Sequence, residues 1–198
     1  MQDITIIKKL NSNYDKKLLI IGVFHGDEFQ GEYFINSYLK QDNTPSKNEI
    51  HYIPRLNKNN KRVNLNNVDL NRNFPTKNWV KSKKDDYFGG DEPNSEKETK
   101  FLVNLIEKEK YDAIITIHSP YKVINFDGPA LELSKEIQKF LGYKITNDIG
   151  YPTPGSFGTY CGIERNIPTI TIEIDETENL EELNSKFSKL FKYLENSY

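Results

Sequence analysis

The sequence predicts an α/β fold, a mixed and mostly parallel twisted sheet with helices on both faces, in one domain spanning residues 1–198. Two observations carry that expectation. Short β-branched runs recur along the chain, several of them apolar on both faces, as strands covered by helices on two sides require. Between these runs fall longer segments of helical period, the alternation that builds layered α/β domains.

Taken in order, 4–7 and 18–24 read as the first two strands, and 28–41 as an amphipathic helix carrying Phe29, Tyr33, Phe34, Tyr38 and Leu39. A third strand is expected at 50–53. From about 55 to 94 the chain is dominated by Asn, Lys, Asp and Gly without a sustained period, which predicts a long irregular excursion of the kind that often carries function. Ser95 followed by Glu98 matches a capping box ahead of Phe101, Leu102, Leu105 and Ile106, so a helix is expected at 95–110. Strands at 113–117 and 122–125, a helix at 129–141, a strand at 169–174 and a helix at 180–194 complete the pattern. The last helix places Leu180, Leu183, Phe187, Leu190 and Phe191 on one face. No repeat or second domain is evident.

Composition narrows the function. The 27 basic and 29 acidic residues are spread along the chain and leave a formal charge of -2, so no single-sign field points to nucleic acid or a membrane surface. Small polar or charged ligands stay open. Mean hydropathy is low at -0.72, yet 12% aromatic residues supply large side chains for an interior. The lone Cys161 can build neither an internal disulfide nor a cysteine-based zinc site, so any metal must rest on His and carboxylate groups. No apolar run is long enough for a spanning helix or a signal core, and a cytoplasmic location is the expectation.

Three residues form a candidate metal site. His25-Gly26-Asp27-Glu28 stands where the second strand meets the first helix, and three-residue spacing at a helix start brings side chains within reach of one ion. On spacing alone, His25 as a helix cap and Glu28 as a dipole partner is an equal alternative. His118 ends another apolar strand, and in open α/β sheets ligands gather outside the carboxyl ends of strands. Two imidazoles and one carboxylate leave a fourth position open, the pattern of catalytic rather than structural zinc. Such a site profits from a general base, and Glu173 in the apolar strand at 169–174 is the candidate, since an acid there is costly unless it is used. The third histidine, His51, lies within a strand and receives no role.

In order along the chain stand H-G-D-E, D-L-N-R-N-F-P at 69–75, a strand ending in His118, and the T-I-E-I strand. In that combination the chain resembles the zinc carboxypeptidase superfamily from about residue 18 to 174. The resemblance implies one Zn2+ ion on His25, Glu28 and His118, with Glu173 as general base and acid. It further implies that Asn71 and Arg72 hold the terminal carboxylate of a small peptide substrate and that Arg62 stabilises the oxyanion. A guanidinium suits a carboxylate because it binds in a bidentate fork. Tyr160 is carried over as a substrate-facing tyrosine.

A narrower likeness, in the segments 125–130 and 150–160, is to the murein peptide amidase branch, which cleaves γ-D-glutamate from meso-diaminopimelate during cell-wall peptide recycling. It implies that the Gly/Pro-rich turn around 152–158 lines the specificity pocket. Asp127, Glu164 and Asp175 are candidates for the ammonium group of diaminopimelate, with no order among them. Two other readings stay in view: an aspartoacylase or succinylglutamate desuccinylase type of N-acyl amino acid hydrolase, and a catalytically inactive peptide-binding module. The oligomeric state is left open by the sequence.

Overall fold

The computed structural model describes residues 4–42 and 44–198. Among the described residues seven strands form one sheet: β1 (Ile7–Lys9), β2 (Lys17–Ile21), β3 (Glu49–Ile53), β4 (Ala113–His118), β5 (Val123–Asp127), β6 (Lys144–Thr146) and β7 (Thr169–Glu173), in the spatial order β1-β3-β2-β4-β7-β5-β6. The central strands β3, β2, β4 and β7 run parallel, β1 is antiparallel to β3, and β5 is antiparallel to β7 but parallel to β6, so the expected mixed and mostly parallel sheet is present. Four helices flank it: α1 (Gln30–Gln41), α2 (Lys97–Glu109), α3 (Leu131–Leu141) and α4 (Leu180–Asn196).

The two-residue pleat sorts each strand into two cores. Leu18 and Ile20, with Ile115, Ile170 and Ile172, pack under α1, α3 and α4. Leu19, Ile21 and Ile114 face the other way, against Leu102, Leu105 and Ile106 of α2 and against Phe24, Phe74 and Phe157 from irregular segments. The first core is fastened by aromatic stacking, with the rings of Phe34 on α1 and Phe187 on α4 4.4 Å apart and 13° from parallel. Glu195 is wholly buried beside it but satisfied, accepting from Tyr38 and Tyr52 hydroxyls at 2.8 and 2.9 Å and pairing with Lys9 at 2.8 Å.

Two expectations at element ends are corrected, and one strand was missed. The strand expected at 4–7 forms only from Ile7, and β6, three residues with no apolar alternation, went unrecognised. Ser95 and Glu98 do not make a capping box: the residue before α2 is Glu96, which gives no side-chain cap. A tertiary partner has taken over. Asn73 Oδ1 accepts from Glu96 N at 3.2 Å and Thr99 Oγ1 at 2.6 Å, and its Nδ2 donates to Ser95 Oγ at 2.9 Å. The start of α2 is thereby docked onto the irregular excursion.

That excursion is ordered by its asparagines. Apart from one 3-10 turn at Leu70–Arg72 it has no regular element up to α2, so its backbone groups need other partners. Asn57, Asn59 and Asn64 supply them, with Asn57 Nδ2 on Arg62 O at 3.1 Å, Asn59 Nδ2 on Val63 O at 2.9 Å, and Asn64 Oδ1 receiving Asn66 N at 2.9 Å. An amide side chain offers both donor and acceptor, which is why the segment is rich in Asn.

Phe187→Ala removes one half of the buried stack, and urea unfolding should show a loss of about 3–5 kcal/mol with an unchanged m-value.

Candidate metal and substrate site

The parallel strands β2, β4 and β7 end at one edge of the sheet, and each delivers one element of the site. His118 and Glu173 are the last residues of adjacent strands and stand directly opposite in register. His25 follows β2 after a short buried exit. The segment from His25 to Glu28 is a turn, closed by Glu28 N on His25 O at 3.1 Å, and α1 begins only at Gln30. The helix-start geometry expected for this pair is therefore replaced by a turn. Gly26 is required there for closeness: a Cβ would lie 1.9 Å from Asn59 O, because the Asn59–Lys61 backbone crosses against it and Gly26 N donates to Lys61 O at 3.0 Å.

His25, Glu28 and His118 converge, all three buried. His25 Nδ1 lies 2.8 Å from Glu28 Oε1 and 3.3 Å from His118 Nδ1, and His118 Nδ1 lies 3.0 Å from Glu28 Oε2. Ligands at the ~2.0–2.1 Å of zinc bonds in a tetrahedron stand about 3.3 Å apart, so the spacing fits one cation. The atoms also want one: two imidazole nitrogens face each other, and Glu28 Oε2, though 3.0 Å from His118, lacks the alignment of a hydrogen bond. A second group, Glu49, His51 and Glu109, is close enough to be weighed as a metal site. Its charge is already met, since Lys17 Nζ sits 3.1 Å from Glu49 and 2.9 Å from Glu109, and both His51 nitrogens are engaged by Tyr111 and Glu49 at 2.6 and 2.8 Å.

Asp69, in the D-L-N-R-N-F-P segment, was given no role by the sequence and proves central. Its Oδ1 takes His25 Nε2 at 3.1 Å and the backbone N of Asn71 at 2.8 Å, while Oδ2 takes Arg62 Nε and Nη2 at 3.2 and 3.0 Å. Holding the proton on Nε2 directs the lone pair of Nδ1 into the cluster. Although burial opposes it, the neighbouring His25, Arg62 and Arg72 hold the Asp69 carboxyl well below the usual carboxylate range. Burial likewise opposes charge on His25, but the Asp69 and Glu28 carboxylates outweigh it and push the imidazole up to about 9.

Glu173 is buried beside this cluster, and its Oε2 has no partner. Burial, with the Glu28 carboxylate adding repulsion, pushes its carboxyl up to about 8. Both face a cavity of about 600 Å³ that Arg62, Asn71 and Arg72 also line. Asn71 Oδ1 is occupied by Phe157 N at 2.8 Å, which leaves its Nδ2 as the free donor. The Tyr87 ring lies 4.7 Å from the Arg62 guanidinium and 6.0 Å from that of Arg72. The Gly/Pro-rich turn lines the cavity as expected, through Thr153, Ser156 and Gly158.

Tyr160 does not. It is wholly buried in a π-helical turn (Thr159–Ile163), its ring between Phe74 and the Arg165 guanidinium, its hydroxyl without a partner, so the substrate-facing position assigned to it is withdrawn. The apolar neighbours Phe74 and Phe157 draw the ring inward. The tyrosines at the cavity are Tyr87, Tyr121 and Tyr151, the last two with ring centroids 6.4 Å apart. Tyr151 stands at the head of the very turn the sequence singled out, but an aromatic beside Gly and Pro carries no directional signal.

A layered α/β sheet with a His, Glu, His cluster at its carboxyl edge, a buried free carboxylate and two arginines in one cavity defines a metal-dependent hydrolase site. Comparison with known proteins gives the family. The zinc carboxypeptidase family model matches residues 40–130. Murein peptide amidase A of Vibrio campbellii is 34% identical over 179 residues, covering 79% of this chain and 68% of its own, and that of Escherichia coli K12 is 32% identical over 171 residues, covering 78% and 69%. Among solved structures, the murein-tripeptide amidase of Escherichia coli O157 superposes with a TM-score of 0.79 at 30% identity, over 91% of this chain and 81% of that one. Carboxypeptidase A from Helicoverpa armigera shares the fold, with a TM-score of 0.75 at 14% identity over 96% and 66%. The chain belongs to the zinc carboxypeptidase family, and zinc is its cofactor.

Asp69→Asn should weaken zinc binding about 10–100-fold, as loss of an outer carboxylate on a ligating histidine does, read by competition against a chelating dye. Unchanged affinity would remove Asp69 from the support of the metal.

Proposed function

We propose that the chain is a zinc-dependent murein peptide amidase, cleaving the amide between γ-D-glutamate and meso-diaminopimelate in peptides freed from the cell wall. Residues 1–198 act as one catalytic domain, in the cytoplasm, where such peptides are recycled. The observation that carries this reading is a buried, unpartnered Glu173 oxygen on the same cavity as the His25, Glu28, His118 cluster and the Asn71–Arg72 pair. The relatives named above support the substrate class.

In this reading His25, Glu28 and His118 hold the ion. When bound, zinc supplies Lewis acidity, making water a nucleophile near neutral pH and polarising the scissile carbonyl. Glu173 accepts the proton of the attacking water at Oε2 and returns it to the departing α-amine of diaminopimelate. Burial makes its carboxylate a stronger base than one in water, which suits that transfer. Arg62, anchored on Asp69 through Nε and Nη2, holds Nη1 at the metal cluster, 3.4 Å from His25 Nδ1, where it can meet the charge that develops on the carbonyl oxygen. Arg72 and Asn71 Nδ2 take the free carboxylate next to the cleaved amide and so fix which bond reaches Glu173.

The purified protein should contain one zinc per chain and hydrolyse L-Ala-γ-D-Glu-meso-diaminopimelate, leaving N-acetylaspartate and succinylglutamate intact. Turnover of the acyl amino acids alone would put the desuccinylase type of reading in its place, and no turnover of any would favour the binding module. Glu173→Gln should keep its zinc and lose about 10²–10⁴ in kcat. His118→Ala should lose zinc and unfold at a lower temperature, since a metal held only by the native state stabilises it.

A further inference from the structure

We propose that Asp127, with Asn125, forms a cation-binding recess at the inner end of the cavity that receives the distal ammonium group of a diamino-acid leaving group. The proposal rests on the amidase reading for the position of the cleaved amide.

The topology makes the recess. β5 runs antiparallel to β7, with Val123 opposite Glu173, Asn125 opposite Thr171 and Asp127 opposite Thr169. Residues paired in this way share a face of the sheet, so Glu173, Asn125 and Asp127 form a row leading inward from the sheet edge. Four residues separate the level of Glu173 from that of Asp127, roughly 13 Å along the strands. In a diamino acid such as diaminopimelate six bonds of ~1.5 Å join the α-nitrogen to the distal nitrogen, and with a hydrogen bond of ~3 Å at each end an extended chain covers that span.

The recess offers acceptors and no cation. Asp127 and Asn125 both line the cavity. Asp127 has no ion pair among the described residues, and its one neighbouring donor, Asn125 Nδ2, is 3.3 Å away. Asn125 Oδ1 is buried without a partner. Burial with nothing to offset it pushes the Asp127 carboxyl up to about 6. A buried acid left unpaired is costly, and an arriving ammonium would relieve it. The covering backbone is shaped to the carboxylate as well: a Cβ on Gly158 would lie 2.3 Å from Asp127 Oδ2, and one on Gly162 2.4 Å from Asp127 Cβ.

The other two acids considered from sequence are engaged elsewhere. Glu164 accepts from Lys77 N at 2.6 Å, and Asp175 pairs with Lys122 at 2.9 Å. Asp148 and Glu176 touch the cavity but are exposed, and they already accept from Gly150 N and Ser119 Oγ at 2.7 and 2.5 Å.

The test uses the zinc-loaded protein and three peptides, L-Ala-γ-D-Glu linked to meso-diaminopimelate, to L-lysine or to L-norleucine. Wild type should cleave the first two with kcat/KM roughly 10–100-fold above the third, the worth of a charge-assisted hydrogen bond. Asp127→Asn should erase that preference, lowering kcat/KM on the diaminopimelate and lysine peptides to the level it shows on the norleucine peptide. Equal rates on lysine and norleucine peptides in wild type, or an equal loss on all three in the variant, would overturn the proposal. Should wild type cleave none, the amidase reading fails, and calorimetry decides the recess alone. Tighter binding of meso-diaminopimelate than of 2-aminopimelate, lost in Asp127→Asn, supports it, and no difference sinks it.

Discussion

The geometry of the site depends on one buried anion. Asp69 is wholly inaccessible, and its two oxygens answer to an imidazole, a guanidinium fork and a backbone amide. A carboxylate taken out of water is stable only when its lone pairs are filled, and here filling them fixes three groups at once. The ring orientation of His25, the reach of Arg62 and the turn at Leu70–Arg72 that carries Asn71 and Arg72 are set by the same atoms. The His25, Glu28, His118 cluster and the Asn71–Arg72 pair therefore share one support and hold their relative position without a helix between them.

Charge balance explains why this edge of the sheet is a site and the opposite end is not. Lys17 lies within a salt-bridge distance of both Glu49 and Glu109, and His51 between Glu49 and Tyr111 has no free nitrogen. That cluster is closed. At the carboxyl edge, by contrast, Glu28 and Glu173 are buried near each other with one oxygen of each lacking a hydrogen bond. The two imidazoles hold the Glu28 carboxyl down to about 2 against the effect of burial, whereas burial and Glu28 together raise Glu173. Two acids in one cavity with opposite tendencies divide naturally into a ligand and a base.

Legibility in the sequence followed how local the physical cause was. The central parallel strands and the helices α1 to α4 were readable because apolar alternation and helical period are written within each segment, and the gathering of His25, His118 and Glu173 because strand ends and a lone acid among β-branched residues are local signals. What depended on partners far along the chain was not. Ser95 and Glu98 satisfied a local capping rule that the amide of Asn73 then displaced. Tyr160 was carried over from the family resemblance as a substrate-facing residue, yet Phe74, Phe157 and Arg165 enclose that stretch. Asp69 stood in the most recognisable motif of the chain, but its task appears only when the turn at His25, the residue Arg62 and the motif itself meet in space.

The cavity is built by two irregular segments that behave as one rigid part. Phe157 N donates to Asn71 Oδ1 at 2.8 Å, Phe74 N to Gly155 O at 2.9 Å, and Gly155 N to Thr76 Oγ1 at 3.1 Å, so the turn over Asp127 is stitched to the loop carrying Asn71 and Arg72. Hydrogen bonds in so dry a setting are stronger than in water, and opening one leaves an unpaired polar group behind. The antiparallel course of β5 supplies the remaining wall, because a strand that starts at the edge beside Glu173 and runs inward can line the depth of the cavity with alternate side chains. In the proposed reading, reaction and selection divide along a single face of the sheet, with proton transfer at the rim and recognition of the leaving group below it, at a spacing that the pleat sets.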